Sequence, residues 1–317
     1  MNWSRMAAFV LGVSVLAGIV AYAGIGSVMQ ALRVLRFSGL ALITLLHLPV
    51  VLAMGIAWWL LGRNFPGSTT TKFAWARFVR DAAAEALPFS QIGGFVLGVR
   101  ALHLDGVGAL RGALSMSVDL VMELWAKIPY FIAGLVALFV AVPHSHPSRA
   151  LVAALVLTIG VVAIPYVFGK RLRSALETST MAIARRWPSL GSREDARLFF
   201  DGLFAERWVL PTSFAVHFAC WVFGAFEMWV VLALMGHRVR PVEALAIDSL
   251  VSGLRTFAFL VPAAAGVQEA CYVLVCAVFG IAPATAVAVS LARRARDLAL
   301  GIPILAIWQY REATAGK

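Results

Sequence analysis

Ionisable side chains stand inside a strongly apolar stretch near the C-terminal end of this chain. Residues 284–308 are apolar and long enough to cross a membrane, yet they carry Arg293, Arg294, Arg296 and Asp297. Each charge at membrane depth costs roughly 2.5–3.5 kcal/mol on insertion scales, so such groups are retained where they pair or line a polar cavity. The pattern therefore predicts a polar site inside a membrane protein, suited to a lipid head group or to protons.

A break in the backbone precedes this charged stretch. Pro262 and Gly266 interrupt an apolar segment, and Gln268 and Glu269 follow directly. Broken helices at membrane depth are tolerated only inside protein or beside a cavity, because lipid cannot satisfy the freed backbone groups. If a helix restarts near Gly266, Glu269 lies in its first turn, where the helix dipole favours a carboxylate. We therefore expect Gln268 and Glu269 to face a cavity.

Further charged residues in apolar segments fall at helical spacing. Asp119, Glu123 and Lys127 lie on one stripe, and Glu123 with Lys127 is a well-oriented i,i+4 ion pair. Two interpretations stay open for such groups: internal bridges that fix helix packing, or a polar surface for a head group or proton. The predicted cavity residues are Glu85, Gln91, Asp119, Glu123, Glu227, Asp248, Arg255, Gln268, Glu269, Arg293, Arg294, Arg296 and Asp297.

Composition decides the class of protein. The chain is 61% hydrophobic and 14% charged, with a mean hydropathy of +0.87, whereas soluble domains are about 45–50% apolar. Roughly 20 apolar residues cross the hydrocarbon core of a bilayer. Runs of that length predict an all-α, polytopic integral membrane helical bundle, a single domain over 1–317 with about six spanning helices, at about 6–24, 39–61, 113–142, 150–168, 208–235 and 284–308.

The basic residues predict an orientation in the membrane. The stretch 169–207 is rich in Lys and Arg, and such loops face the cytoplasm. Counting spans outward from this cytoplasmic basic loop places both termini in the cytoplasm. We expect a multi-pass membrane protein with this orientation.

Two interrupted apolar segments do not fit as simple spans. One covers about 86–104 and contains the backbone breaks Pro88, Gly93 and Gly94; the other covers about 244–280 and contains Pro262 and Gly266. The count of spans predicts that both are re-entrant and that they enter from opposite sides. Interrupted segments in corresponding positions of two halves point to a midplane site and to an inverted repeat.

Several short motifs carry a resemblance to a known family. They are Ala86-Leu87-Pro88 with Gln91-Ile92-Gly93-Gly94, Asp248-Ser249-Leu250 with Arg255, Phe259-Leu260-Val261-Pro262 with Gly266-Val267-Gln268-Glu269, and Ser290-Leu291, Arg294, Arg296, Gly301-Ile302-Pro303 and Trp308-Gln309. On these motifs the chain resembles the membrane region of lysylphosphatidylglycerol synthases, the multipass part that moves lipid between leaflets. Within that superfamily it looks most like the hopanoid-biosynthesis-associated membrane proteins of bacteria. The resemblance implies that it moves or places hopanoids or related polar lipids, and that it lies in the bacterial inner membrane.

Two other functions stay open beside this flippase-like one. The protein would be a non-catalytic scaffold for hopanoid-biosynthesis enzymes, or an intramembrane enzyme that modifies lipids. The sequence shows no nucleophile–base pair and no metal-ligand motif, so we expect no catalytic residue, metal or cofactor. The expected partners are membrane lipids, either hopanoid or anionic phospholipid, and hopanoid-biosynthesis enzymes, but not nucleic acid.

Overall fold

The computed structural model describes residues 24–86, 90–142, 193–256 and 266–315. These residues form nine α-helices and no strand, so the prediction of an all-α fold is confirmed. The helices are α1 (Ile25–Gly62), α2 (Thr70–Ala86), α3 (Ser90–Leu104), α4 (Ala109–Ala141), α5 (Arg193–Ala205), α6 (Val209–Leu234), α7 (Pro241–Thr256), α8 (Val267–Val278) and α9 (Pro283–Ala315). The predicted spans 150–168 and, except for its last residue, 6–24 lie outside the described residues, as do Pro88, Pro262 and 169–192 of the basic loop.

Long apolar helices form the frame of the bundle. α1, α4 and α6 are each long and apolar enough to cross a membrane, and they contain nearly all of the predicted spans 39–61, 113–142 and 208–235. α9 is equally long as α4, but its charged residues lower its hydropathy. Large apolar side chains point away from the protein on several helices, among them Phe37, Ile92 and Leu274. Such outward apolar surface is what a helical bundle presents to lipid.

Two helical hairpins lie between the long helices. α2 packs against α3, and α7 packs against α8. The second hairpin agrees with the predicted segment 244–280. The first is larger than the predicted segment 86–104, because that range covers α3 and misses α2. α2 escaped the hydropathy pattern because it is rich in charged residues, most of which face the interior of the bundle.

The glycines of the first hairpin do not break the backbone. Gly93 and Gly94, predicted as part of the interruption, lie inside α3, so this prediction is corrected. A Cβ atom at Gly94 would lie 2.7 Å from the carbonyl oxygen of Arg80, so glycine is needed here for the close approach of α2 and α3. Gly266 differs, since it precedes α8 with a φ of 77°, a conformation that favours glycine.

The two hairpins open at opposite ends of the bundle. α1 and α6 are antiparallel, since Nδ1 of His47 lies 2.9 Å from Oε1 of Glu227 and Arg63, just after α1, pairs with Glu206, just before α6. The first hairpin opens at this end, which we name the Arg63 end, because α2 follows α1 directly. The second opens at the other end, because α7 follows the C-terminal end of α6.

At each end of the bundle, a further contact joins a long helix to a hairpin. At the Arg63 end, Arg311 near the end of α9 pairs with Asp105, which directly follows α3. At the opposite end, Arg240 before α7 donates to the carbonyl of Ala141, the last residue of α4. Each long helix that follows a hairpin is therefore tied to the hairpin of the other half.

The helices before and after each hairpin correspond to one another. α1–α4 and α6–α9 share the order of a long helix, two short helices and a long helix. α4 packs on α7 as α9 packs on α2, and α1 packs on α9 as α6 packs on α4. α4 and α9 are both 33 residues long, with Pro129 and Pro303 at the same position in each. An inverted repeat would produce this correspondence.

One close contact lacks a counterpart in the other half. α1 packs on α4, but no comparable packing joins α6 to α9 among the residues that the structure describes. The two halves therefore share one design and differ in how tightly their outer helices approach each other.

Candidate functional site

A cavity of about 510 Å³ lies where the two hairpins meet the long helices. Its size is within the range of about 300–1,000 Å³ that is typical of ligand pockets. Apolar side chains such as Met54 and Ile304 form part of the wall. The charged lining residues are Arg77, Arg80, Asp81, Glu85, Glu123, Lys127, Glu227, Asp248, Arg255, Arg293, Arg296 and Asp297.

One ion pair joins the inner ends of the two hairpins. Nη2 of Arg255 donates to Oε1 of Glu85 over 2.5 Å. Glu85 is the second-last residue of α2 and Arg255 is the second-last residue of α7. We name this ion pair the tip pair. Because the two hairpins enter the bundle from opposite ends, the tip pair marks the middle of the bundle.

The first charged cluster lies between α2 and α4, and we name it the α4 cluster: Arg77, Arg80, Asp81, Asp119, Glu123 and His217. Arg77 is almost fully buried. Its Nη1 donates to Oδ2 of Asp119 over 3.2 Å and to Oε2 of Glu123 over 3.1 Å. Nη1 of Arg80 donates to the same oxygen of Glu123 over 3.0 Å. The predicted pair of Glu123 with Lys127 does not form, because two arginines of α2 occupy the carboxylate.

The second charged cluster is centred on α9 and includes residues of the helices packed beside it. We name it the α9 cluster: His47, Glu227, Asp248, Arg293, Arg296 and Asp297. Arg293 donates to Asp248, which also accepts a hydrogen bond of 2.5 Å from the hydroxyl of Tyr130. Arg296 donates to Oε2 of Glu227 over 2.6 Å and to Oδ1 of Asp297 over 2.7 Å. Glu227, which has no partner nearby in the sequence, thus finds its cation on a distant helix.

The two clusters occupy corresponding places with partly reversed charge. Asp119 and Arg293 stand at the same position in α4 and α9. Asp119 pairs with Arg77 on α2, and Arg293 pairs with Asp248 on α7. Burying an ion requires a close partner of opposite charge, and each half supplies that partner from its own hairpin.

A family model of the lysylphosphatidylglycerol synthase TM region matches residues 9–304. The chain belongs to this family. The match covers both hairpins and every charged residue of the cavity lining, so the site described above is part of the family's own membrane region. Comparison with curated proteins and with solved structures gave no significant match.

Most of the predicted cavity residues line the cavity of this family member. Gln268 is among them, and its side-chain amide donates to Oγ of Ser290 over 2.9 Å. Three predicted residues lie behind the lining: Asp119, Glu269 and Arg294. Gln91 lies in α3, and its side chain is outside the described part of the structure.

Glu269 is held on every side by the protein. It is fully buried, and its Oε2 accepts a hydrogen bond of 2.9 Å from the backbone N–H of Gly266 at the start of α8. Its Oε1 accepts from Oγ of Ser290 over 3.0 Å and from Nη2 of Arg294 over 3.1 Å. These contacts fix the start of α8 against α9, which favours the packing interpretation for this carboxylate.

Several lining residues were not predicted to belong to the site. Arg77, Arg80 and Asp81 share one stripe of α2 with Glu85, at i, i+3, i+4 and i+8 spacing. That stripe is a usable signal, because the i,i+4 spacing of Arg77 with Asp81 and of Asp81 with Glu85 is visible in the sequence, although the helix is too polar to be recognised by its hydropathy. Lys127 was recognised as a residue at membrane depth. It lines the cavity beside Thr256 and Trp221 and not as the partner of Glu123.

The substitution Glu269→Gln is expected to weaken the fold more than lipid handling. The amide keeps the shape but removes the charge that faces Arg294, and a lost hydrogen bond to a charged group costs about 1.5–3 kcal/mol. We expect a lower melting temperature in detergent and normal lipid redistribution per folded molecule. Glu312→Gln is the control, because Glu312 is a partly exposed carboxylate outside the cavity. Normal melting with lost redistribution would return Glu269 to the functional site.

Proposed function

We propose that the protein moves or places polar lipids between the leaflets of the bacterial inner membrane. The cavity carries this proposal: charged side chains of both hairpins line a space in the middle of a bundle whose outer surface is apolar. A lipid head group would enter the cavity while the apolar part of the lipid stays in the bilayer. Midplane sites between interrupted helices serve the same purpose in transporters.

The proposed orientation places the Arg63 end in the cytoplasm. Arg63, Arg111 and Arg311 lie near this end, and basic residues near the ends of spans favour the cytoplasmic side. The first hairpin would then be re-entrant from the cytoplasm and the second from outside. We propose on this basis that the two halves form an inverted repeat.

A binding role accounts better for the lining carboxylates than a catalytic one. Each of Asp81, Glu85, Glu123, Glu227, Asp248 and Asp297 accepts a hydrogen bond from an arginine. A general acid or base must lie within hydrogen-bond reach of the proton that it transfers, and the arginine contacts hold these carboxylates in ion pairs within the protein. The candidate lipids are hopanoids, as the sequence resemblance implies, and anionic phospholipids.

Reconstitution tests the proposed function directly. The purified protein is placed in liposomes that contain a head-group-labelled fluorescent lipid, and a membrane-impermeant reductant bleaches the label on the outer leaflet. We expect the protein to expose the inner-leaflet label faster than in protein-free liposomes. Folded protein that fails to accelerate this step, both for phospholipids and for a hopanoid with a polar side chain, would contradict the proposal.

A further inference from the structure

Lys127 differs from the other cations of the cavity lining. Arg77, Arg80, Arg255, Arg293 and Arg296 each have a carboxylate oxygen within 4.0 Å. In the described part of the chain, no carboxylate oxygen lies within that distance of the ammonium group of Lys127. Among the described residues, the ammonium group of Lys127 is therefore the cation of the lining that no carboxylate contacts directly.

The ammonium group of Lys127 is nevertheless held in a defined place. Its Nζ donates to Oγ1 of Thr256 over 3.1 Å and lies 4.3 Å from the ring centroid of Trp221. The ring of Trp221 is itself fixed, because its Nε1 donates to the carbonyl oxygen of Glu123 over 3.3 Å and the ring of Tyr130 stacks on it. A cation over an indole face is stabilised by the ring quadrupole.

These contacts leave donor capacity on the ammonium group. A lysine ammonium has three N–H donors and no acceptor, and Thr256 takes one of them. The nearest carboxylate in the sequence, Glu123, is occupied by Arg77 and Arg80. An uncompensated charge at membrane depth is costly. Since the described residues place no carboxylate at Lys127, its remaining donors are available to an anionic ligand in the cavity.

We infer that Lys127, held in place by Thr256 and Trp221, binds the phosphate group of a glycerophospholipid head group. A phosphate offers several acceptor oxygens and a charge that matches a compact ammonium group. Lys127, Thr256 and Trp221 all line the cavity, so the phosphate would sit beside the tip pair in the middle of the bundle. This inference rests on the proposed function, since it assumes that a lipid reaches the cavity. It favours phospholipid over a phosphate-free polyol lipid.

Lipid binding to purified variants tests the inference. Binding of phosphatidylglycerol and of a phosphate-free glucosyl diacylglycerol is measured by native mass spectrometry for the wild type and three variants. We expect Lys127→Met to weaken phosphatidylglycerol binding at least about tenfold, as for a lost charge-assisted hydrogen bond, and to leave the glycolipid unchanged. Lys127→Arg should retain most of the binding. Lys72→Met is the control, because Lys72 is a partly exposed lysine outside the cavity whose Nζ donates to the carbonyl of Gly67.

Several outcomes would overturn the inference. Equal phosphatidylglycerol binding by the wild type and Lys127→Met would remove Lys127 from the site, and equal loss for both lipids would remove the selectivity for phosphate. Inorganic phosphate that stabilises the wild type as strongly as the phospholipid does would assign the site to a free anion. If Lys127→Met does not fold, Thr256→Val replaces it, with selectively weaker phosphatidylglycerol binding expected.

The liposome experiment keeps this inference separate from the proposed function. In one outcome the wild-type protein redistributes no lipid, but its variants show the expected selective loss of binding. This outcome would contradict the transport proposal and support the phosphate site. Redistribution by the wild type together with unchanged binding by Lys127→Met would support transport and overturn the phosphate site.

Discussion

The substitution Arg77→Met is expected to lower the free energy of unfolding by roughly 3–5 kcal/mol, as when one partner of a buried ion pair is removed. Arg77 is 2% exposed and Asp119 is fully buried. Without Arg77, the carboxylate of Asp119 keeps only Arg80, at 3.7 Å, and the ring of His217 as polar partners. Reversible unfolding in mixed micelles measures the loss, which is large against a typical total of about 5–15 kcal/mol.

Two further variants show whether this loss comes from the buried charge. The double variant Arg77→Met with Asp119→Asn removes both charges, so it should be less damaging than the sum of the two single variants. Arg197→Met is the surface control, because Arg197 is largely exposed and its pair with Asp201 spans 3.6 Å. Exposed pairs contribute about 0–1 kcal/mol. Strictly additive losses in the double variant would show that Arg77 and Asp119 do not act as a pair.

Reversing one charge of the tip pair is expected to reduce lipid redistribution at least about tenfold. Arg255→Glu places a second carboxylate opposite Glu85, and two like charges 4 Å apart repel by about 4 kcal/mol at an effective dielectric constant of 20. The real repulsion is smaller, because the two side chains are 32% and 28% exposed. The hairpin ends would separate while the rest of the bundle stays folded. Liposome assays at equal amounts of reconstituted protein measure the effect.

The double exchange, Glu85→Arg with Arg255→Glu, should recover most of the activity because it restores the attraction. The matched control exchanges Arg100 and Glu312, a pair of similar length outside the cavity. The hydrogen bond from Arg100 lowers the pKa of Glu312. Exchanging the two residues of this more exposed pair should nevertheless leave lipid redistribution unchanged. Folded single variants with full activity would show that the tip pair has no part in transport.

Much of the site follows from the energetic cost of charge in an apolar sequence. Arg293, Arg296 and Asp297 could be recognised because each stands in a segment long enough to span a membrane. Glu227 has no charged partner nearby in the sequence, so the same cost predicts a distant one, and Arg296 is that partner. The interruption before α8 was likewise visible, since proline and glycine mark it within an apolar run.

The rest could not be predicted because partners are chosen in three dimensions. Glu123 and Lys127 have favourable spacing on one helix, but α2 brings two arginines to Glu123 and leaves Lys127 to Thr256. α2 itself was missed as an arm of the hairpin, because a hydropathy scale treats every charged side chain as exposed to water. The scale takes no account of partners on α4 that neutralise these charges. Glu269 illustrates the same limit, since its sequence position does not tell whether it faces a cavity or Arg294.

The unmatched packing of α1 on α4 suggests how access to the cavity could change sides. If the two halves exchanged conformations, α6 would close on α9 while α1 withdrew from α4, and the mouth of the cavity would move to the other leaflet. Both states would then be related by the pseudo-two-fold axis of the proposed inverted repeat, as in transporters that rock one repeat against the other. The tip pair joins corresponding positions of the two halves, so it would remain closed in either state and act as the fulcrum of a rocking motion.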